Sequence, residues 1–420
     1  MKIIFHDSRQ LAEEVKPGDL APRLERDLEE HQERLLSQSV AEIIEGLQRF
    51  RLKLSDHRNP LQARYRHLGL AFLLNFLYSE NLEGLLDTSL RDRRALDGIV
   101  EHRGLRLTAT PRGVAGHWMA GNVPFLSFIS VLQCLLTKNV SLVKISSRAE
   151  DTITPLLQEL AAAKGCRALS DSVTVLAFPS DDMDANLAMN SLCRTRIFWG
   201  SREAVDSLEA MPRRPETVDC VFGPKISAAV VAPELLTDEA AANLAVDVTL
   251  FNQEACSSPH YLFVRGDAGQ AREAARKLGE ALAGLHERPL ASRHGPGEAS
   301  RILNFRAEWC LEGGEIVCDG GTSWTIALPP ADLDRLPPAL GSRVVTVVPF
   351  ADARRIEELL PANAQTVTTL LPKREREEFV LRLARLGVAR FPEPGHANDY
   401  VLPWDGGFVL DRLVNWAVLA

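Results

Sequence analysis

Gly113-Val114-Ala115-Gly116-His117-Trp118 is a short apolar run that follows a break at Pro111-Arg112, and a helix-length stretch from about Val123 to Leu136 separates it from Val140-Ser141-Leu142-Val143-Lys144-Ile145. Two short apolar runs joined in this way read as parallel neighbours, because a parallel pair needs a crossover of a dozen or more residues. The alternation continues through helix Thr152 to Lys164, strand Val173 to Phe178, a helix near Met183 to Leu192, strand Arg196 to Trp199 and a helix from about Arg202. Strand Ala228 to Ala232 is expected to close this half. The reading is an α/β fold with parallel-rich sheets, and residues 104–232 form its nucleotide-binding domain.

Working outward, residues 1–103 read as a helical lead-in. Leu35, Val40, Ile43, Ile44 and Leu47 recur at three- and four-residue spacing, and Gly69 to Tyr78 suits a buried helix. Leu105 to Thr110 alternates like an edge strand, which could pair across a subunit boundary and make the protein a homo-oligomer. Downstream, residues 233–395 form a second α/β unit. Its helices Asp238 to Ala245 and Ala268 to Leu285 flank a cysteine-bearing stretch and strand Tyr261 to Val264. The tail, 396–420, carries Trp404-Asp405-Gly406-Gly407-Phe408 and is expected to pack back at a domain or subunit boundary.

Composition excludes several functions. At 420 residues, with 45% hydrophobic and 25% charged residues, the chain can bury an active site within two or three domains. A formal net charge of -8, with no dense basic patch, argues against a nucleic-acid partner. Seven cysteines without a C-x-x-C pair suit reduced thiols in a cytoplasmic protein and give no zinc site. Met1 to Asp7 turns polar too soon for a secretory signal, and the apolar stretch Val123 to Thr137 is too short to span a bilayer, so the expectation is a soluble protein.

The chemistry points to Cys256. It lies in Phe251-Asn252-Gln253-Glu254-Ala255-Cys256-Ser257-Ser258-Pro259, among hydrogen-bonding groups, whereas Cys134 and Cys193 sit in apolar helical patterns. A reactive thiol needs such a polar setting to ionise, although most cysteines are inert core filling. A thiolate attacking a carbonyl makes an oxyanion that requires fixed donors. Asn122, in Ala120-Gly121-Asn122-Val123-Pro124, is the candidate donor, with a helix cap as the plainer reading. Lys144 ends a strand at the carboxyl edge of the sheet, where dinucleotides bind, or is a surface lysine. Gly200-Ser201 offers a strand-to-helix turn for a pyrophosphate.

In their order, Asn122-Val123-Pro124, Lys138 to Lys144, Gly200-Ser201, Gly223-Pro224-Lys225 and Asn252-Gln253-x-x-Cys256 resemble the aldehyde dehydrogenase superfamily. Within it the chain looks most like the LuxC-type acyl-CoA reductases, the fatty acyl reductases of bacterial luminescence, with Cys256-Ser257-Ser258-Pro259 and Trp404-Asp405-Gly406 as further similarities. The resemblance implies an aldehyde dehydrogenase-like fold of two α/β domains. It makes Cys256 the nucleophile, Asn122 an oxyanion donor beside the Cys256 backbone N–H, Lys144 a contact to the adenosine ribose or its phosphate, and Gly200-Ser201 the seat of the pyrophosphate. The reaction implied is NADPH-dependent reduction of an acyl thioester to an aldehyde through an acyl-cysteine, without a metal. Its substrate would be acyl-CoA or an acyl-carrier protein, and an acyl-protein synthetase would be a partner. An acylating aldehyde dehydrogenase running oxidatively, and a cysteine acyltransferase or thioesterase without hydride transfer, are the alternatives.

Several departures matter. Hydrolytic relatives carry a glutamate where this chain has Val221, and valine cannot activate water, which favours reduction over hydrolysis. The Asn122 to Lys144 interval is one residue shorter than usual, and Gly341 to Val345 offers no acid for the nicotinamide ribose. Three residues after Lys144, where NAD-specific members often have a glutamate, stand Ser147 and then Arg148; a hydroxyl beside a cation accommodates a 2′-phosphate, so NADPH is expected over NADH.

Overall fold

The computed structural model describes residues 1–145, 150–286, 295–330 and 333–419. In chain order the strands are β1 (Lys2–His6), β2 (Arg9–Glu14), β3 (Val100–His102), β4 (Leu105–Pro111), β5 (Val114–Trp118), β6 (Val140–Lys144), β7 (Val173–Ala177), β8 (Thr195–Trp199) and β9 (Val218–Phe222). They continue with β10 (Ile226–Val231), β11 (Pro259–Arg265), β12 (Glu315–Cys318), β13 (Thr325–Leu328), β14 (Val344–Phe350), β15 (Ala364–Leu370) and β16 (Val414–Leu419). The chain divides into two compact units. The first is Met1–Gly223 with Val401–Pro403 and the residues from Gly407 on; the second is Pro224–Tyr400 with Trp404–Gly406.

The first unit is built on a sheet of order β2-β1-β7-β6-β5-β8-β9. Strands β5 to β9 run parallel, as the alternation of apolar runs and helices requires. From β5 the chain crosses by helix Leu126–Leu136 to β6 on one side, while β8 pairs with β5 on the other. The strand order therefore reverses beside β5, and the loops after β5 and β8 open on a crevice at the carboxyl ends of the strands.

The lead-in is helical from Leu20 onward, with helices Leu20–Leu36, Val40–Ser55, Pro60–Tyr65, Leu70–Phe76 and Ser79–Ser89. Helix Val40–Ser55 starts in a capping box formed by Ser39 and Glu42 and buries Val40, Ile43, Ile44 and Leu47, the stripe expected of it. Before these helices lies a hairpin that the helical reading of the first hundred residues passed over. Strand β1 pairs antiparallel with both β2 and β7, and Ile3 and Phe5 are wholly buried. Their period of two was present in the sequence, but it spans only five residues.

Strand β4 is not an edge. It is the middle of a small antiparallel sheet, β16-β4-β3, because the tail returns as β16 and pairs along it from Val414 opposite Pro111 to Leu419 opposite Arg106. Asn139 fastens this return: its amide donates to the Leu413 carbonyl (3.0 Å) and its oxygen accepts the Gly113 N–H (2.9 Å). The expectation of pairing across a subunit boundary through β4 therefore fails, since partners from the same chain occupy both its edges.

The second unit holds a sheet of order β12-β13-β14-β11-β10-β15, parallel except for β12. Strand β10, expected to close the first half, instead lies inside this sheet between β11 and β15. The two faces of the sheet follow the strand period. Ala229, Val231, Leu262, Val264, Val345 and Val347 pack with helices Asp238–Thr249 and Ala268–His286, while Ala228, Val230, Tyr261, Phe263 and Val348 form a second apolar cluster. Because both faces are covered, these strands are apolar runs and not alternations.

One buried ion pair tests the first unit. Arg196 in β8 is fully buried, its guanidinium held bidentately by Asp219 of β9 at 2.6 and 2.6 Å, with further bonds to Asn190 Oδ1 (3.0 Å) and the Met211 carbonyl (3.2 Å). Removing one partner leaves an uncompensated buried charge. Asp219→Ala is expected to lower the unfolding free energy by about 3–5 kcal/mol, measured by urea denaturation. A loss below about 1 kcal/mol would show that water reaches the guanidinium.

Candidate active site

In the first unit the sequence-derived cofactor residues gather at the carboxyl edge of the parallel strands. Lys144 is the last residue of β6 and is no surface lysine: only 5% of it is exposed, its Nζ donates to Ser180 Oγ at 2.8 Å and lies 5.8 Å from the Phe178 ring centre. Burial pulls its pKa below the ordinary lysine value. Gly200 and Ser201 follow β8, and Ser201 Oγ accepts the Ala204 N–H (3.4 Å), capping helix Arg202–Glu209. Asn122 is exposed in the loop after β5. It does not cap the next helix, which begins at Leu126 with Phe125 as its flanking residue. Ser147 and Arg148 lie outside the described residues.

A cleft of about 240 Å³ opens at this edge, lined by Met119, Ala120, Gly121, Val123, Pro124 and Ser127 after β5, by Ile145, and by Glu150 to Ile153 with Leu68. A dinucleotide is implied by the fold, and what is present fits one: an open crevice at the reversal of strand order, a glycine in its wall and a buried lysine beside it. Among the described residues no group of three or more His, Cys, Asp or Glu could hold a metal ion. No described helix is long and apolar enough to cross a membrane.

In the second unit Cys256 sits just before β11, at the amino ends of the parallel strands. The chain reaches it through a sharp turn in which Phe251, Asn252 and Gln253 have φ of 52°, 55° and 62°. Three consecutive non-glycine residues in the left-handed region are costly and persist only where surroundings over-determine them. Gln253 supplies that constraint. Its Nε2 donates to the carbonyls of Pro259 (2.8 Å) and Val344 (3.0 Å), and its Oε1 accepts the Val344 N–H (2.8 Å).

The polar groups next to Cys256 are therefore scaffolding. Ser257 and Ser258 donate to Asn398 Oδ1 at 2.8 and 3.3 Å, and Asn398 donates to the Asp247 carbonyl at 3.1 Å. The Asp247 carboxylate in turn accepts the Gly395 and Ala397 N–H groups (2.8 and 3.1 Å), while burial pushes its pKa up to about 7. Ser227 Oγ holds the Cys256 carbonyl at 2.6 Å.

This alters the reasoning that singled the thiol out. The flanking polar residues do not ionise it; burial, reinforced by the Asp405 carboxylate, pushes the Cys256 thiol up to about 12, against the opposing pull of Arg390 and Lys225. Cys193 is also pushed to about 12 by burial, and Cys134 is raised by the same cause. Cys256 differs from them in being partly accessible and in having three charged groups act on it. Composition revealed none of this charge set. Arg390 is 94% buried, donates to the carbonyls of Ala397 (3.0 Å) and Asp399 (2.7 Å), and lies over the Trp404 ring. Its only trace in the sequence is a cation between Ala389 and Phe391.

Comparison with known proteins agrees with this architecture. A family model described as Acyl-CoA reductase (LuxC) matches residues 35–416. The long-chain acyl-protein thioester reductase of Aliivibrio fischeri is 27% identical over 353 residues, covering 83% of this chain and 71% of that protein. Long-chain acyl-protein thioester reductase 2 of Photobacterium leiognathi is 26% identical over 348 residues, covering 80% and 70%. Among solved structures, aldehyde dehydrogenase 21 from Physcomitrella patens superposes with a TM-score of 0.73 at 14% identity, over 100% of this chain and 97% of that one. The matched span takes in both α/β units, with the cysteine turn of the second, and the chain belongs to the acyl-CoA reductase (LuxC) family, with an aldehyde dehydrogenase fold.

Proposed function

We propose that the protein reduces an acyl thioester to the aldehyde through an acyl-cysteine at Cys256, with NADPH preferred over NADH. The observation that carries this reading is Cys256 itself, a partly exposed cysteine next to a strained, over-determined turn in a chain of this family. The names of the relatives support a long-chain acyl group, carried on coenzyme A or on a protein, and an acyl-protein synthetase as the partner that loads it. The first unit is the cofactor-binding half and the second the half that carries the acyl group. A homo-oligomer in the cytoplasm belongs to the same reading.

Cys256 attacks the thioester carbonyl and the carrier thiol leaves. Asn122 and the Cys256 N–H receive the oxyanion, whose charge needs donors already in place. Bound nicotinamide supplies the hydride that takes the acyl group to the aldehyde level. Lys144, Ser147, Arg148, Gly200 and Ser201 hold the dinucleotide. Val221 gives water no base, so the acyl-cysteine waits for reduction and is not hydrolysed.

The test is NADPH oxidation with acyl-CoA thioesters of increasing chain length, beside intact-mass detection of acyl-enzyme. Aldehyde release, abolished in Cys256→Ala, is expected. Acyl-enzyme without NADPH consumption would favour an acyltransferase, and faster turnover from aldehyde and free thiol would favour the oxidative direction. Asn122→Ala is expected to lower kcat by roughly 10²–10³-fold with the acyl-thioester KM little changed. Arg148→Ala is expected to raise KM for NADPH about tenfold or more and leave that for NADH unmoved. For the free enzyme, iodoacetamide alkylation of Cys256 is expected to climb about tenfold per pH unit from neutrality up to the limit of folded protein, because the thiol ionises only near pH 12. A plateau near pH 7 would mean that the thiolate is already present.

A further inference from the structure

A thiol held protonated needs somewhere to send its proton, and Val221 occupies the place of the glutamate that superfamily resemblance would have supplied. The second unit contains another carboxylate in the same network: Asn398, which holds Ser257 and Ser258, lies between Ala397 and Asp399, whose carbonyls Arg390 holds, and Arg390 lies over Trp404, the neighbour of Asp405. Asp405 reaches the site on the Trp404–Gly406 segment, which the second unit takes from the tail. Trp404 is 95% buried; its ring stacks on Tyr400 (centroids 4.6 Å apart, 15° between planes), and Arg390 lies over it at 4.6 Å. Asp405 itself is held at φ 48°. Its Oδ1 is buried and has no hydrogen-bond partner among the described residues. A buried acceptor left open is costly, and one next to a nucleophile is available for a proton.

We propose that Asp405 is the acid–base partner of Cys256, accepting the thiol proton as the sulfur attacks and returning it to the departing carrier thiol. The proposal rests on the reading of Cys256 as nucleophile. In the step, the S–H bond breaks, its proton going to Asp405 Oδ1 and its electron pair forming the S–C bond, while the carbonyl π pair moves to oxygen. When the tetrahedral adduct collapses, the C–S bond to the carrier breaks, and the carrier sulfur leaves with that pair and takes the proton from Asp405. No redox co-reactant enters this half-reaction.

The groups that face the carboxyl are placed for such a role. Burial raises the pKa of Asp405 above the ordinary carboxylate value, which strengthens it as a base, while Lys225 before β10, Gln365 on β15 and Arg390 oppose that rise and keep the ionised form within reach. Arg390 and Lys225 also act on Cys256 and favour its thiolate. The proton therefore moves between two groups bracketed by the same two cations, and little net charge is created in the buried site.

The test uses the full-length protein, an acyl-CoA thioester and no nicotinamide, following acyl-enzyme by quenched-flow intact mass over pH, beside iodoacetamide alkylation. Asp405→Asn fits the left-handed backbone, since asparagine adopts it as readily as aspartate. It is expected to slow acylation by roughly 10²–10⁴-fold and to abolish the dependence on a carboxyl ionisation. Because the carboxylate's charge is removed, the same variant is expected to lower the thiol's ionisation midpoint and so alkylate faster. That opposition in sign is one that general disruption would not produce. Asp405→Glu is expected to recover most of the acylation rate and provides the comparison if the asparagine variant melts early. Acylation of Asp405→Asn at the wild-type rate, or slowing of both reactions together, would overturn the proposal. Acylation of the wild type at a residue other than Cys256 would instead overturn the functional reading on which the proposal stands.

Discussion

The site in the second unit depends on the side-chain amide of Gln253. Its three hydrogen bonds to the Pro259 and Val344 backbones hold three successive left-handed residues that would otherwise relax, and the turn they make sets Cys256 at the amino ends of the parallel strands. Each left-handed non-glycine residue costs on the order of 1–3 kcal/mol. A buried amide with both its ends engaged is the kind of group able to offset such strain, since breaking any of its bonds leaves a donor or acceptor dry.

The same economy governs the electrostatics. Ser257, Ser258, Asn398 and Asp247 form a chain of bonds that ties the cysteine turn to the segment 395–398 and leaves none of its hydroxyls for the thiol. What remains to tune the thiol is burial and charge at a distance: Asp405 raising its pKa, Arg390 and Lys225 lowering it. Burial dominates because a dry environment penalises the thiolate more than two partly screened cations favour it. A thiol held protonated in this way reacts slowly with electrophiles and oxidants.

The first unit shows a different division of labour. Its floor is tied together, with β8 and β9 joined by the buried Arg196–Asp219 pair and the small sheet fastened by Asn139, whereas the candidate cofactor residues Lys144, Gly200 and Ser201 stand at the carboxyl edge. Such placement follows from the parallel sheet: every crossover returns the chain to the same edge, so the loops after β5 and β8 open there side by side.

Strand and helix periodicity by themselves determined the α/β class, the parallel run β5 to β8 and the helices after Leu20, while β9 (Val218–Phe222) was passed over. These properties are local, written in spacings of two and of three to four residues. Motif order added the family. The position of β10 inside the second sheet, the pairing of β16 along β4 and the hairpin at the start were decided only in three dimensions, because which strands become neighbours depends on long-range closure that no local window contains. Burial of Lys144, the scaffolding use of Ser257 and Ser258, and the gathering of Asp405, Arg390 and Lys225 about Cys256 belong to the tertiary structure too. In the sequence these residues are ordinary polar letters, with Lys225 31 positions before Cys256 and Asp405 149 positions after it; only desolvation and proximity, which the fold creates, bring them together around one thiol.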